Sequence, residues 1–403
     1  MDQNNVKKYD VVIAGGGAAG ITSAIFAAKA GASVLLCEKM SKLGKKVRIS
    51  GNGRCNITND ILDPTCFNPE AKAIVESVLA RFGKHEILRF FKDLGLRVYS
   101  AEDGRVFPIT NQSVSVMDVL ELELSRQGVE VRLDCEVTVI DRSGKDFSLE
   151  FKAGGSVEAH RCILTAGGKS YPIGGTDGSA YAMAIKFGHH LVEPVPSTVA
   201  LLSKDPWCPI LTGQKIIAGV RWQADGKTGP CIEGDLLFTD YGLSGTAVLD
   251  SSEEISIAIG RHQSKDTSLV IDLVPFMHEE ELRKEISHRI RRKFPKDKLI
   301  AGILPPKFAI ALEGVLKTGD PAAIASGLKN RTFLMTGTRG WNDAEFTAGG
   351  IDHQEVDFKT LESKKCSGLY LAGEILDVNG KRGGYNLAWA WGSGFVAGEA
   401  AAE

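Results

Sequence analysis

Residues 9–38 read YDVVIAGGGAAGITSAIFAAKAGASVLLCE, and this stretch decides the fold. Tyr9 to Ala14 is a short apolar run rich in β-branched residues, the pattern of a strand buried on both faces. Gly15-Gly-Gly-Ala-Ala-Gly20 follows at once, then an Ala-rich helical stretch from Ile21 to Ala30, then a second apolar run ending in Glu38. Strand, GxGxxG turn, helix, strand and acid within about 30 residues make a dinucleotide-binding unit. Gly15 permits the tight turn, Gly17 lets backbone approach a pyrophosphate, and Gly20 lets helix and strand pack closely. The helix N-terminus at Ala18 and Ala19 offers unpaired N–H groups and a positive dipole end to the phosphates. Glu38 ends the second strand, where a carboxylate can accept ribose hydroxyls and would repel a 2′-phosphate.

The motif does not separate FAD from NAD, but two other segments do. Lys39 to Asn59, KMSKLGKKVRISGNGRCNITN, is polar, basic and Gly-rich. It suits a diphosphate and the polar edges of a flavin through Lys39, Lys45, Arg48, Ser50, Gly51, Asn52, Gly53, Arg54, Asn56 and Thr58. Near the C-terminus, Leu369 to Ala372 is a strand with Gly373 and Glu374 at its carboxyl end, where ligands bind in α/β sheets. Gly383 and Gly384 then open a small-residue helix beginning Tyr385-Asn386-Leu387. Its dipole can face the negative charge of a reduced flavin. In the middle, Ile163 to Gly168 reads as a strand and Gly turn that passes the FAD again, bringing Ala166, Gly167 and Gly168. Val137 is counted with them.

These stretches resemble bacterial FAD-dependent oxidoreductases of the aminoacetone-oxidase and dehydro-bile-acid-reductase type. The resemblance rests on VVIAGGGAAG (11–20), KLGKKVRISGNGRCNITN (42–59), ILTAGGKSYPIGGTDGSAYAMAIKFGH (163–189), LLFTDYGLSG (236–245), FTAGGI (346–351) and LYLAGEILDVNGKRGGYNLAWAWGSG (369–394). It implies FAD held by a GR2-type Rossmann domain. The chain departs from the family pattern at Lys381-Arg382 and at Ala388, so the resemblance does not carry substrate identity.

The chain's 403 residues exceed what one core usually holds, about 250–300. The expected fold is α/β: a three-layer Rossmann-like FAD-binding domain with an inserted β-rich domain and a small helical module. The expected divisions are 1–193 and 352–403 for the FAD domain, 194–275 and 333–351 for the β-rich domain, described as a sandwich or barrel, and 276–332 for the helices. Basic and acidic side chains number 48 and 50, giving a net charge of -2. That balance supplies no reason to expect nucleic acid or an anionic membrane as partner. No run of about 18 apolar residues predicts a membrane span. The start, MDQNNVKKYD, lacks the apolar core of a signal peptide. A cytoplasmic protein with free thiols is expected, since the eight cysteines form no CxxC pair and no metal spacing. Oligomeric state stays open.

A second Rossmann fingerprint is absent, and the redox-disulfide position after the first acid has Cys55 but Asp60 where its partner would stand. The expected chemistry is hydride transfer between noncovalent FAD and a small organic substrate. The enzyme is then an NAD(P)H-dependent reductase or an amine-type oxidase. Arg382, Tyr241 and Thr347 are the candidates for substrate contact. The alternative is an FAD-dependent tRNA-modifying enzyme, which needs a basic RNA face.

Overall fold

A computed structural model describes residues 7–403, so residues 1–6, on which part of the leader reading falls, lie outside the described residues. The chain divides into two compact units. One comprises the chain up to Pro194 together with Phe346–Glu403, and the other is Val195–Glu345.

The first unit is built on a seven-stranded sheet. The apolar run at its start is strand β1 (Lys8–Ala14), whose Val11, Val12 and Ile13 are fully buried. β1 lies between β2 (Val34–Cys37) and the strand Ser156–Leu164, parallel to both. Strand Glu130–Arg132 extends the sheet beyond β2 in parallel. Strands Val137–Ser143 and Asp146–Phe151 continue from Ser156–Leu164 as an antiparallel meander. The late strand Leu369–Leu371 returns to pair in parallel with Cys162–Leu164. Helix α1 (Ala18–Lys29) starts three residues earlier than the expected Ile21, because the fingerprint's last glycine already belongs to its first turn.

Helix α1 is buried against the C-terminal helix, Tyr385–Ala402. The small residues of both sequences explain the closeness. A Cβ on Gly394 would meet Ala19 O at 2.4 Å, and one on Gly398 would meet Ser23 O at 2.5 Å. Ser23 Oγ donates to Gly394 O at 2.9 Å across this contact. Two buried tryptophans fix the same helix elsewhere. Trp389 Nε1 donates to Gly373 O at 3.1 Å, and Trp391 Nε1 to Ile57 O at 3.1 Å.

The second unit carries an eight-stranded sheet, antiparallel throughout its recorded pairings. Its long strands are Lys215–Ala224, Ile232–Phe238 and Thr267–Asp272. The expected sandwich or barrel is instead one sheet in open order, faced by helix Thr246–Gly260. Its sequence, TAVLDSSEEISIAIG, carries little helix signal, since it mixes serines and β-branched residues that score poorly as helix formers. Tertiary burial of Ala247, Val248, Ile255 and Ala258 overrides the propensity. Helices Glu279–Arg291 and Pro321–Lys329 form within the expected helical segment, the second with Asp320 accepting from Ala322 N at its start. Strand Phe346–Ile351, expected with the β-rich domain, clusters with the first unit and pairs with strand Leu191–Ser197.

Candidate functional site

The carboxyl end of β1 leads into Gly15, whose φ of +112° makes the turn. A Cβ on Gly20 would lie 1.9 Å from Gly15 O, so helix and turn touch through this residue. Gly17 differs from both. Its φ is -80° and ψ -169°, extended backbone open to any residue, and a Cβ there would meet nothing within 4 Å. The first bond within α1 runs from Ile21 N to Gly17 O at 3.0 Å, so the N–H groups of Ala18, Ala19 and Gly20 precede it. An open lip beside unspent helix N–H groups is the shape and charge a pyrophosphate requires.

Glu38 follows β2 and is half-buried. Its Oε2 accepts from Gly16 N at 2.7 Å and its Oε1 from Met40 N at 2.8 Å. Burial raises its carboxyl above the ordinary value, while these two N–H groups pull it down. Each oxygen keeps acceptor capacity for a ribose hydroxyl. Lys39 forms an ion pair with Asp177 at 2.9 Å. Gly167 has φ +77° in the turn after strand Ser156–Leu164, with Ala166 half-buried and Gly168 against Thr347. Val137 is the buried first residue of its strand.

The Lys39–Asn59 segment is not one loop. Helix α2 (Lys45–Gly53) breaks inside, with Ser50 extended and Gly51 and Asn52 left-handed at φ +57°. Cys55 is also left-handed at φ +63°. Left-handed conformations at non-glycine residues cost about 1–3 kcal/mol and cluster at ligand sites. Asn52 and Gly53 are exposed, and Lys45 is half-buried. Several side chains of this segment serve the protein itself. Arg48 donates to Leu43 O at 3.1 Å and to Glu121 at 2.7 Å. Ser50 Oγ donates to Val47 O at 2.8 Å, and Arg54 lies over the Phe107 ring at 4.2 Å. Burial pushes the Cys55 thiol up to about 12, so it is a packed thiol with no thiolate at neutral pH.

The C-terminal residues of the site are held tightly. Glu374 accepts from Lys46 Nζ at 2.7 Å, Ser170 Oγ at 3.0 Å and Thr347 N at 3.0 Å. Thr347 Oγ1 in turn accepts from Lys169 N at 2.9 Å and Ser170 N at 3.0 Å. Thr347 is buried, and its hydroxyl oxygen accepts twice from this loop, so the candidate substrate residue also serves as a structural link. Gly373 is pinned through its N–H, which donates to Ser393 Oγ at 3.0 Å. Lys46 and Ser170 join the site through contacts across more than a hundred residues, a pairing that local spacing cannot reveal.

Gly384 caps the C-terminal helix at φ +102°. A Cβ there would lie 2.5 Å from Thr58 O and 2.9 Å from Asn56 Oδ1. Asn56 Oδ1 and Thr58 Oγ1 are buried beside it without a hydrogen-bond partner among the described residues. Tyr385, Asn386 and half-buried Leu387 supply N–H groups ahead of the first intrahelical bond, from Ala388 N to Gly384 O at 3.0 Å. Asn386 grips the loop before it, accepting from Gly380 N at 2.9 Å and donating to Gly380 O at 2.7 Å. Asn59, unmarked in the sequence reading, donates to Gly383 O at 2.9 Å. Arg382 on this loop is half-buried. Tyr241 belongs to the second unit, where Arg339 lies over its ring at 4.5 Å. The first unit therefore brings together the glycine cradle, Glu38, the 50–58 segment and the two helix N-termini, and these fit a dinucleotide with a flavin.

No helix among the described residues is long and apolar enough to cross a membrane. A family model for the HI0933-like protein Rossmann domain matches residues 9–400. The chain is 36% identical over 411 residues to a 3-dehydro-bile acid delta(4,6)-reductase of Clostridium scindens, covering 97% of this chain and 98% of that one. It is 30% identical over 400 residues to a ribosomal RNA dihydrouridine synthase of Escherichia coli, covering 97% of each. Among solved structures it resembles a 3-ketosteroid-delta4-(5alpha)-dehydrogenase of Rhodococcus jostii. The TM-score is 0.53 and the identity 16%, over 98% of this chain and 97% of that one. At that identity the likeness concerns the fold. The cradle, the strand-end carboxylate and the match over nearly the whole length agree: the chain is an FAD-dependent oxidoreductase and belongs to the HI0933-like family.

Proposed function

We propose that this enzyme saturates a carbon–carbon double bond conjugated to a carbonyl, with a reduced nicotinamide as electron source. The observation that carries the reading is shared chemistry between two relatives matched along their whole length. A 3-dehydro-bile acid with delta(4,6) unsaturation has its double bonds conjugated to the 3-carbonyl. Dihydrouridine forms when the ring double bond of uracil, conjugated to its own carbonyl, is reduced. The two substrates differ greatly in size and charge, but the bond reduced is of one kind.

Bound FAD supplies a hydride at N5. The chain's own residues do the rest. The α1 N-terminus and open Gly17 lip hold the diphosphate, Glu38 the ribose, and the C-terminal helix faces its positive end toward charge that builds on reduction. Arg382 is offered as a contact to a substrate anion. Wild-type protein mixed anaerobically with NADH or NADPH should lose its flavin band near about 450 nm and regain it on adding a conjugated enone. Absence of reoxidation by every conjugated acceptor, with rapid reoxidation by oxygen and an amine, would favour the oxidase reading instead. The small-molecule reading is preferred over nucleic acid because of the charge balance of 48 against 50. Reoxidation by ribosomal RNA and not by a 3-oxo-4-ene steroid would reverse that preference.

A further inference from the structure

A buried amide oxygen without a hydrogen-bond partner is costly, and the first unit holds one beside a helix N-terminus. Asn56 is 8% exposed, and its Oδ1 has no partner among the described residues. The chain on either side fixes where Asn56 stands. Before it, Gly51 and Asn52 are left-handed at φ +57° and Cys55 at φ +63°, and Cys55 N donates to Ser50 O at 2.9 Å. A Cβ on Gly51 would meet Asn56 N at 3.1 Å, so this strained turn closes directly on the residue. After it, Ile57 N donates to Val106 O at 2.8 Å, and Ile57 O accepts from Trp391 Nε1 at 3.1 Å. The side-chain oxygen lies 2.9 Å from the Cβ position of Gly384, the residue that caps the 18-residue C-terminal helix. The N–H groups of Tyr385, Asn386 and Leu387 precede the first intrahelical bond there. The positive end of that helix favours the oxygen of the Asn56 amide on this side over its NH₂ group.

Helix donors and an amide acceptor therefore stand side by side. Their complement is a ligand edge that carries a carbonyl next to an N–H. Phosphates only accept, and adenine has no carbonyl and gathers no negative charge for a helix to face. The pyrimidine ring of the flavin has the required edge, with C2=O beside N3–H. We propose that Asn56 Oδ1 accepts the flavin N3–H while the N-terminus of the C-terminal helix donates to the neighbouring C2=O. Asn56 is then the side chain that recognises the flavin ring, as Glu38 recognises the ribose. The inference rests on bound FAD alone and holds whichever substrate is reduced.

The test needs no substrate and no turnover. The full chain is freed of FAD and titrated with FAD or with N3-methyl-FAD, which lacks the N3–H, each followed by flavin fluorescence. Wild type should bind FAD about 5–150-fold more tightly than the N3-methyl form, the fold-change that loss of one buried hydrogen-bond partner represents. Equal affinities overturn the proposal, and this arm depends on no variant. Asn56→Ala should lose most of the preference, with FAD bound more weakly and the N3-methyl form bound no worse than by wild type. If the preference survives in Asn56→Ala, the N3–H has another partner and the assignment fails. That holds equally where the variant weakens both flavins by one factor, which is the mark of a residue that serves only the fold.

Discussion

Two helices of this protein begin at a glycine beside the nucleotide site, and the two glycines are needed for opposite reasons. Gly17 before α1 has ordinary extended backbone and empty space where a side chain would go. Gly384 before the C-terminal helix has φ +102° and protein backbone 2.5 Å from where its Cβ would sit. One leaves open space where a side chain would go, the other is glycine because the chain already fills the space. A glycine at a helix start therefore says little until its surroundings are known. The difference also separates loss of cofactor from loss of fold.

The largest expected effect tests the filled side. Gly384→Ala forces a Cβ onto Thr58 O and leaves an L-residue in a conformation it rarely adopts, so destabilisation of about 3 kcal/mol or more is expected. A thermal or urea midpoint matching wild type would show that the 56–58 segment yields easily and would erase the contrast. Next comes the open side. Gly17→Val should leave apoprotein stability within about 0.5 kcal/mol while FAD no longer copurifies. A full FAD complement in this variant would place the diphosphate elsewhere. Glu38→Ala should weaken FAD by about 1–3 kcal/mol, because the ribose hydroxyls assigned to its carboxylate lose their acceptor. An unchanged dissociation constant would take Glu38 out of the nucleotide site.

The smallest effect sharpens the comparison away from both glycines. His189 has a fully buried side chain, with Nε2 2.7 Å from Ser363 Oγ and Nδ1 3.1 Å from Glu355. Burial holds its pKa below the ordinary 6.5, and nearby Glu355 only partly offsets this. The unfolded chain then binds the proton first as pH falls. The stabilisation is present above about 6.5 and is lost progressively as the pH drops below it. Urea midpoints compared at pH 7.5 and 5.5 should fall in the wild type and fall less in His189→Gln. Equal falls would make this buried histidine irrelevant to pH stability.

The legible parts of the molecule are those in which sequence neighbours are also spatial neighbours. Gly15, Gly17, Gly20 and Glu38 lie in one βα unit, and their spacing carries their geometry. The C-terminal strand and helix were legible for the same reason. The Lys46–Ser170–Glu374 cluster was legible only at Glu374, at its strand's carboxyl end, since its members come from three distant segments and local spacing does not pair them. Arg48 misled in the reverse sense. It sits in a basic Gly-rich stretch suited to phosphate, but the fold gives it Glu121 as a partner. The second unit's helix Thr246–Gly260 escaped because burial, not propensity, makes it a helix.

The loop before the C-terminal helix is fastened at almost every backbone position. Asn386 closes on both polar groups of Gly380, Cys66 O holds Lys381 N, and Asn59 holds Gly383 O. Lys381 is thus an exposed side chain mounted on a frame of backbone bonds that does not depend on its identity. Mutation of the exposed Lys381 can change what the loop presents without removing any of these backbone bonds. A charge carried at Lys381 can in this way be exchanged while the frame beneath it stays the same.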